Sequence, residues 1–255
     1  MVKMMSLAAA VLAVGLMVGA AAAPPRPDGL QVAAAVADSA RPAQDRARDE
    51  LRRPAEVLAF AGVEPGMRVM DLIPGGGYYT RILARAVGPE GRVYALQPFE
   101  VVDELTSYRT VIEQLAAVPA YSNVVAMFDP VAGFRIDEPL DVVFTALNYH
   151  DVHADFMRPA DAAAMNQAVF RALRPGGVFV VNDHHATAGS GVAEVNRVHR
   201  IDVEVVKREV LAAGFVLEAE SGLLAHPEDD RTGHVYADAM RGRTDQFLLR
   251  FRKPG

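Results

Sequence analysis

From residue 63 onward, short runs rich in β-branched residues alternate with longer stretches whose apolar positions recur at helical spacing. The runs at 68–73, 92–97, 123–127, 141–147, 178–182, 215–220 and 246–252 predict seven strands. Helical patterns lie between them at 78–87, 101–117, 160–173 and 193–213, the last closed by Gly214, where a left-handed cap is expected. This alternation builds a parallel sheet with helices on both faces. The expected fold class is therefore α/β: a three-layer sandwich around a seven-stranded, mostly parallel sheet. No helical pattern separates the last two runs, so the last strand is expected to be antiparallel. The connection before it, 224–244, is about twenty residues long, a length that goes with function or disorder.

Upstream, residues 24–42 are rich in Pro, Ala and Asp, lack periodicity and read as a linker into a charged stretch, 43–53, with the composition of a short helix. Pro54 suits the first turn of a helix ended by Gly62. Residues 24–62 are thus a linker with N-terminal helices, and 63–255 form the main domain. The first 23 residues pair Lys3 with an uncharged Ala, Val and Leu run that closes on Ala20, Ala21, Ala22 and Ala23, a secretory signal pattern. Half of residues 4–23 are Ala or Gly, too weakly apolar for a firm membrane span, so no stable membrane insertion is expected after cleavage. A cut before Ala22 is preferred to one before Pro24. Lys3 favours the inner side of the membrane, and the rest of the chain is expected in the periplasm.

The 255 residues are 51% hydrophobic, enough to bury a full core. Lys and Arg number 26 against 32 Asp and Glu, a formal charge of -6 with no basic run, so nucleic acid is not an expected partner. With no cysteine, thiolate metal sites, Cys nucleophiles and disulfides are excluded. Chemistry falls to His, carboxylates, hydroxyls or a cofactor.

The first strand runs into Asp71-Leu72-Ile73-Pro74-Gly75-Gly76-Gly77-Tyr78-Tyr79-Thr80, at the start of the first helix of the main domain. Three adjacent glycines let backbone approach a ligand, and a helix N-terminus offers free N–H groups. This arrangement resembles the class I S-adenosylmethionine-dependent methyltransferases, whose fold is Rossmann-like. On their pattern Asp71 takes the acidic place, Gly75 and Gly77 the second and third glycines, and Ile73 stands in place of the first. Over about thirty residues the loop, with Gly88-Pro89 and Gly91-Arg92-Val93, looks like the protein isoaspartate methyltransferases. Together with Asn148-Tyr149-His150-Asp151, Asp183-His184 and His199-Arg200-Ile201-Asp202, it resembles a group of exported, predicted bacterial methyltransferases. The resemblance implies S-adenosylmethionine as cofactor, bound by Asp71, Gly75, Gly76, Gly77, Tyr78, Gln97, Asp129 and Asn148. Gln97 replaces the usual acid at the end of strand two. It can still hold a ribose, though less strongly, and Glu100 is an alternative.

Strands four and five end in Asn148-Tyr149-His150-Asp151 and Asn182-Asp183-His184-His185, which should converge with the glycine loop on one crevice. The expected catalytic set is His150, Asp183, His184 and Tyr149. His150 or His184 would take the acceptor's proton, oriented by Asp151 or Asp183. A metal reading on His150, His153, Asp183, His184 and His185 competes, but adjacent histidines rarely face one ion and no His-x-x-x-His pair occurs; no metal is expected. Arg200 is a candidate for a carboxylate contact or a plain solvated side chain. The expected function is methyl transfer from S-adenosylmethionine to a small molecule or another acceptor. A periplasmic small-molecule-binding protein and a metal-assisted hydrolase on the same scaffold remain open.

Overall fold

Along β1 (Arg68–Leu72) successive side chains alternate between the two sheet faces: Val69 joins one apolar cluster, Met70 and Leu72 the other. The computed structural model describes residues 27–100 and 106–255. Its sheet adds β2 (Arg92–Leu96), β3 (Val124–Met127), β4 (Leu140–Ala146), β5 (Leu173–His184), β6 (Val216–Ser221) and β7 (Gln246–Arg252), in the order β3-β2-β1-β4-β5-β7-β6. The first five strands are parallel, and β7 runs antiparallel between β5 and β6. The predicted α/β architecture is the one observed, and β5 extends back to Leu173, beyond the predicted start at 178.

The stretch expected as a linker contains a helix, α1 (Pro27–Val36), whose Val32 and Ala35 are buried in the same cluster as Ile82 and Ala86. Two single turns follow, α2 (Ala43–Arg46) and α3 (Asp49–Arg52), then α4 (Pro54–Ala61), ended by Gly62 at φ 72. Buried Arg41 holds this segment together, its guanidinium bonding both oxygens of Asp49 at 2.8 Å. An alanine-rich sequence without clear periodicity thus docks through one face and one ion pair. The expected signal segment, residues 1–23, lies outside the described residues.

On the same face lie α5 (Tyr78–Val87) and α6 (Thr106–Ala116); α7 (Ala162–Ala172) covers the other. The predicted helix 193–213 is broken into α8 (Val195–Val198) and α9 (Val203–Ala212). Between them His199 takes a left-handed conformation, φ 55, and Ile201 bridges to the end of β5, its N–H donating to the His184 carbonyl at 3.1 Å. Asp202 then caps α9, accepting the Glu204 N–H at 3.0 Å, and accepts the Gly189 N–H at 2.7 Å. The long connection before β7 is pinned by fully buried Arg200, which pairs with Asp229 at 2.7 and 3.2 Å and donates to the carbonyls of Gly233 and His185. Arg200 is therefore neither a solvated side chain nor free to hold a ligand carboxylate.

Candidate active site at the carboxyl ends of the strands

Strand order reverses between β1 and β4, and the ligand crevice of an open parallel sheet lies beyond such a point. Both strands leave the sheet through a non-glycine residue in left-handed backbone, Ile73 at φ 62 and Leu147 at φ 64. That conformation costs an L-residue about 1–2 kcal/mol, so the surrounding packing must enforce it. Ile73 adopts the backbone that a glycine would, and buries its side chain in the core. Asn148 ties the two strand ends together, its amide donating to the carbonyls of Ile73 at 2.6 Å and Ala146 at 2.8 Å.

Gly75 and Gly77 also have positive φ, 52 and 73. A Cβ on Gly77 would lie 2.8 Å from a Leu115 methyl, and its positive φ would strain any other residue there. A Cβ on Gly76 would meet nothing within 4 Å, and one on Gly75 only Tyr108 at 4.0 Å. These two glycines therefore line open space. Fully buried Gln97 supports the loop from below: its Oε1 accepts the Gly75 N–H at 3.0 Å, while its Nε2 has no partner. Glu100 accepts the Val131 N–H, and half-buried Asp129 receives the Phe99 N–H on its carbonyl at 3.4 Å.

Two expected cofactor residues point elsewhere. Asp71 shares its sheet face with Val69 and turns toward α5, where the Thr80 hydroxyl donates to it at 2.6 Å. Burial raises its pKa to about 7, against the opposing pull of the Thr80 bonds. It fastens the loop to α5 instead of facing the crevice. The Tyr78 hydroxyl donates to Asp49 at 2.6 Å, and the guanidinium groups of Arg48 and Arg52 sit 4.9 and 4.6 Å from its ring centre. Tyr78 therefore faces the N-terminal helices.

Across the crevice, Asp183 is fully buried at the end of β5. Its carboxylate accepts the backbone N–H groups of His150 and His184, each at 2.7 Å, and lies 2.8 Å from His150 Nδ1. The other ring nitrogen, Nε2, lies 3.1 Å from Asp151 and 3.3 Å from Nδ1 of His199. Burial alone would lower the pKa of His150, but the charges of Asp183 and Asp151 outweigh it and hold it up at about 10. Asp151 is held down at about 2, the His150 charge overriding burial. His184, 6.0 Å from His150 between ring centres, is pushed down to about 3 by burial, and its Nδ1 bonds the Thr244 hydroxyl at 2.7 Å. The two histidines next to Asp183 thus favour opposite charge states.

The structure brings His150, Asp183, His184 and Asn148 to the crevice. Tyr149 does not join them. It is fully buried between α7 and α9, its hydroxyl donating to Glu209 at 2.9 Å and accepting from Asn166 at 2.7 Å, and burial beside Glu209 drives its pKa far up. His153 pairs with Glu209 at 3.1 Å, and His185 packs edge-on against Phe247. The residue that sequence reasoning left out of this group is His199, taken as part of a continuous helix. Asp202 carried the signal: an Asp two residues before Glu204 and a fresh apolar stripe is an N-cap, which places residues 199–202 outside the helix.

The family model described as "Protein-L-isoaspartate(D-aspartate) O-methyltransferase (PCMT)" matches residues 50–216, which takes in the glycine loop, both crevice clusters and His199. The chain belongs to this family. The likeness is thus much longer than the thirty residues expected from the loop. Among curated relatives, the "Protein-L-isoaspartate O-methyltransferase" of Ignicoccus hospitalis is 27% identical over 50% of this chain and 52% of its own length. The chain spans about half the length of the curated relatives it matches. Among solved structures, a SAM-dependent methyltransferase from Aquifex aeolicus superposes with a TM-score of 0.55 at 19% identity, over 80% of this chain and 92% of that one. The glycopeptide N-methyltransferase MtfA, complexed with (S)-adenosyl-L-methionine, gives 0.54 at 18% identity, over 79% and 87%. These two likenesses establish the class I methyltransferase fold.

Proposed function

We propose that this protein transfers a methyl group from S-adenosylmethionine to an acceptor seated on the His150 side of the crevice. The observation that carries the reading is the open loop at Gly75 and Gly76, with the partnerless, buried Nε2 of Gln97 beneath it, at the point where strand order reverses. These residues fit the cofactor: the glycines leave room for it, and Gln97 Nε2 is a donor in want of an oxygen. Membership of the isoaspartate methyltransferase family supports the same cofactor. The bound sulfonium supplies an already activated methyl group, so the protein's task is alignment and removal of an acceptor proton. His150, clasped by two carboxylates, is suited to fix charge and orientation. His184, kept neutral, is the better proton acceptor of the two, although its low pKa makes it a weak one.

The acidic charge of -6 and the lack of a basic run favour an acceptor other than nucleic acid. Lys3 and the apolar run after it favour export to the periplasm, and no described helix is long and apolar enough to cross a membrane. A second reading, a periplasmic binding protein for another small ligand, draws on Gln97. With Oε1 committed to Gly75, one amide donor is left where relatives of this fold present a carboxylate. Calorimetric titration with S-adenosylmethionine and S-adenosylhomocysteine separates the two. Micromolar binding of both, lost in Gly76→Ala, is expected; a folded protein that binds neither overturns the methyltransferase reading. Fractionation of cells carrying a tagged full-length chain tests export, with an uncleaved cytoplasmic product as the contrary result.

A further inference from the structure

Two adjacent side chains from the turn after β4, His150 and Asp151, and one from the break between α8 and α9, His199, bring one ligand atom each close together. His150 Nε2 and Asp151 Oδ1 are 3.1 Å apart, His150 Nε2 and His199 Nδ1 3.3 Å, and His199 Nδ1 and Asp151 Oδ1 3.7 Å. A tetrahedral zinc-type ion with bonds of about 2.0–2.1 Å to nitrogen and oxygen separates its ligand atoms by about 3.3–3.4 Å, and the observed triangle straddles that edge length. Asp151 Oδ1 is buried and, though 3.1 Å from His150 Nε2, has no aligned hydrogen-bond donor. Among the described residues, this is the one group of three histidine, aspartate or glutamate side chains with ligand atoms within 4.8 Å of one another.

The surroundings match those of a metal histidine. A ligating imidazole is usually oriented by a carboxylate on its other nitrogen, and His150 Nδ1 has Asp183 at 2.8 Å. The side chains of His199 and Asp151, 23% and 13% exposed, leave a way in from solvent. The left-handed turn at His199 presents its ring to this point, flanked by His234 and Tyr236 at 5.1 and 5.2 Å. We propose that His150, Asp151 and His199 bind a divalent transition ion of the zinc type, with Asp183 as the outer carboxylate and the fourth position open to water or an acceptor oxygen. Two imidazoles and one carboxylate, without thiolate, suit zinc, iron(II), manganese(II) or cobalt(II) better than calcium or magnesium.

The site stands on its own geometry; only its use in placing an acceptor oxygen rests on the methyltransferase reading. The test uses the full chain, freed of metal by a chelator, then titrated with zinc by calorimetry and with cobalt(II) by visible absorption. One ion per chain with the intense bands of tetrahedral cobalt is expected. Binding should weaken at least tenfold in His199→Ala and in Asp151→Ala, and about 10–100-fold in Asp183→Asn. His153→Ala and His185→Ala should bind as the parent does. Because His199 is partly exposed, its variant keeps the test valid should Asp183→Asn fail to fold. No stoichiometric uptake by folded protein, or uptake undiminished in His199→Ala, overturns the proposal. A protein that takes up zinc but no nucleoside would keep this site and lose the methyltransferase reading; the reverse result would do the opposite.

Discussion

At the mouth of β1 the groups offered to a ligand are mainly backbone: a loop of glycines, open at Gly75 and Gly76, propped by a single buried amide. Across the crevice, at β4 and β5, they are side chains, with imidazoles and carboxylates packed around Asp183. One Asn148 amide, bonded to the Ile73 carbonyl, joins the two. A backbone cradle tolerates many side chains nearby and depends on local conformation. A side-chain cluster depends on each partner, because a buried charge left alone is costly. The two halves of the crevice should therefore fail in different ways when perturbed.

The largest effect is expected on the side-chain half. In the metal-free protein Asp183→Ala removes three acceptor contacts and leaves the buried His150 charge with Asp151 alone, so chemical denaturation should show a loss of about 3–5 kcal/mol. A loss below about 1 kcal/mol would mean that His150 is neutral in the folded protein. Next come the pH effects, which set Asp71 under the loop against His184 at the cluster. An unfolded Asp71 gives up its proton near 3.8 but the folded one only near 7, so its contribution to stability falls as pH rises between those values. An unfolded His184 gains a proton near 6.5 but the folded one only near 3, so its contribution falls as pH drops through that range. From pH 4 to 6.5 the two oppose each other, each by up to about 1.4 kcal/mol per pH unit. Relative to the parent, Asp71→Asn should lose stability on acidification across that window and His184→Gln should gain it. Parallel curves for all three proteins would dismiss both shifts.

Smaller effects distinguish the glycines. Gly77→Ala meets Leu115 and needs left-handed backbone, and should cost about 1–2 kcal/mol. Gly76→Ala projects into open space and should leave stability within about 0.5 kcal/mol while lowering nucleoside affinity. If Gly76→Ala bound nucleoside as the parent does, the cradle would lie elsewhere.

The sheet was legible because strand runs and helical runs differ in period, and the loop because its glycines sit where one period gives way to the other. Asp71 and Tyr78 were harder, since their position beside the glycines says nothing about which face they take; alternation along β1 sends Asp71 to α5. Tyr149 looked catalytic for a similar reason: its neighbours in sequence face the crevice, but it is held by Asn166 and Glu209 from two distant helices. His199 reaches the cluster only because Ile201 pairs with the end of β5, a contact with no local sequence pattern. The buried pair of Arg200 and Asp229 likewise spans 29 positions and turns what reads as a loose connection into a fixed wall.

The place of β7 between β5 and β6 has a consequence for how the molecule comes into being. While the chain is being made, β5 shows an open edge of unpaired N–H and C=O groups until residues 246–252 arrive. Thr244, the partner of His184, arrives in the same short interval. The His184–Thr244 bond and closure of the sheet are therefore completed together, and a chain halted before this point would lack both and be prone to pair with its own copies.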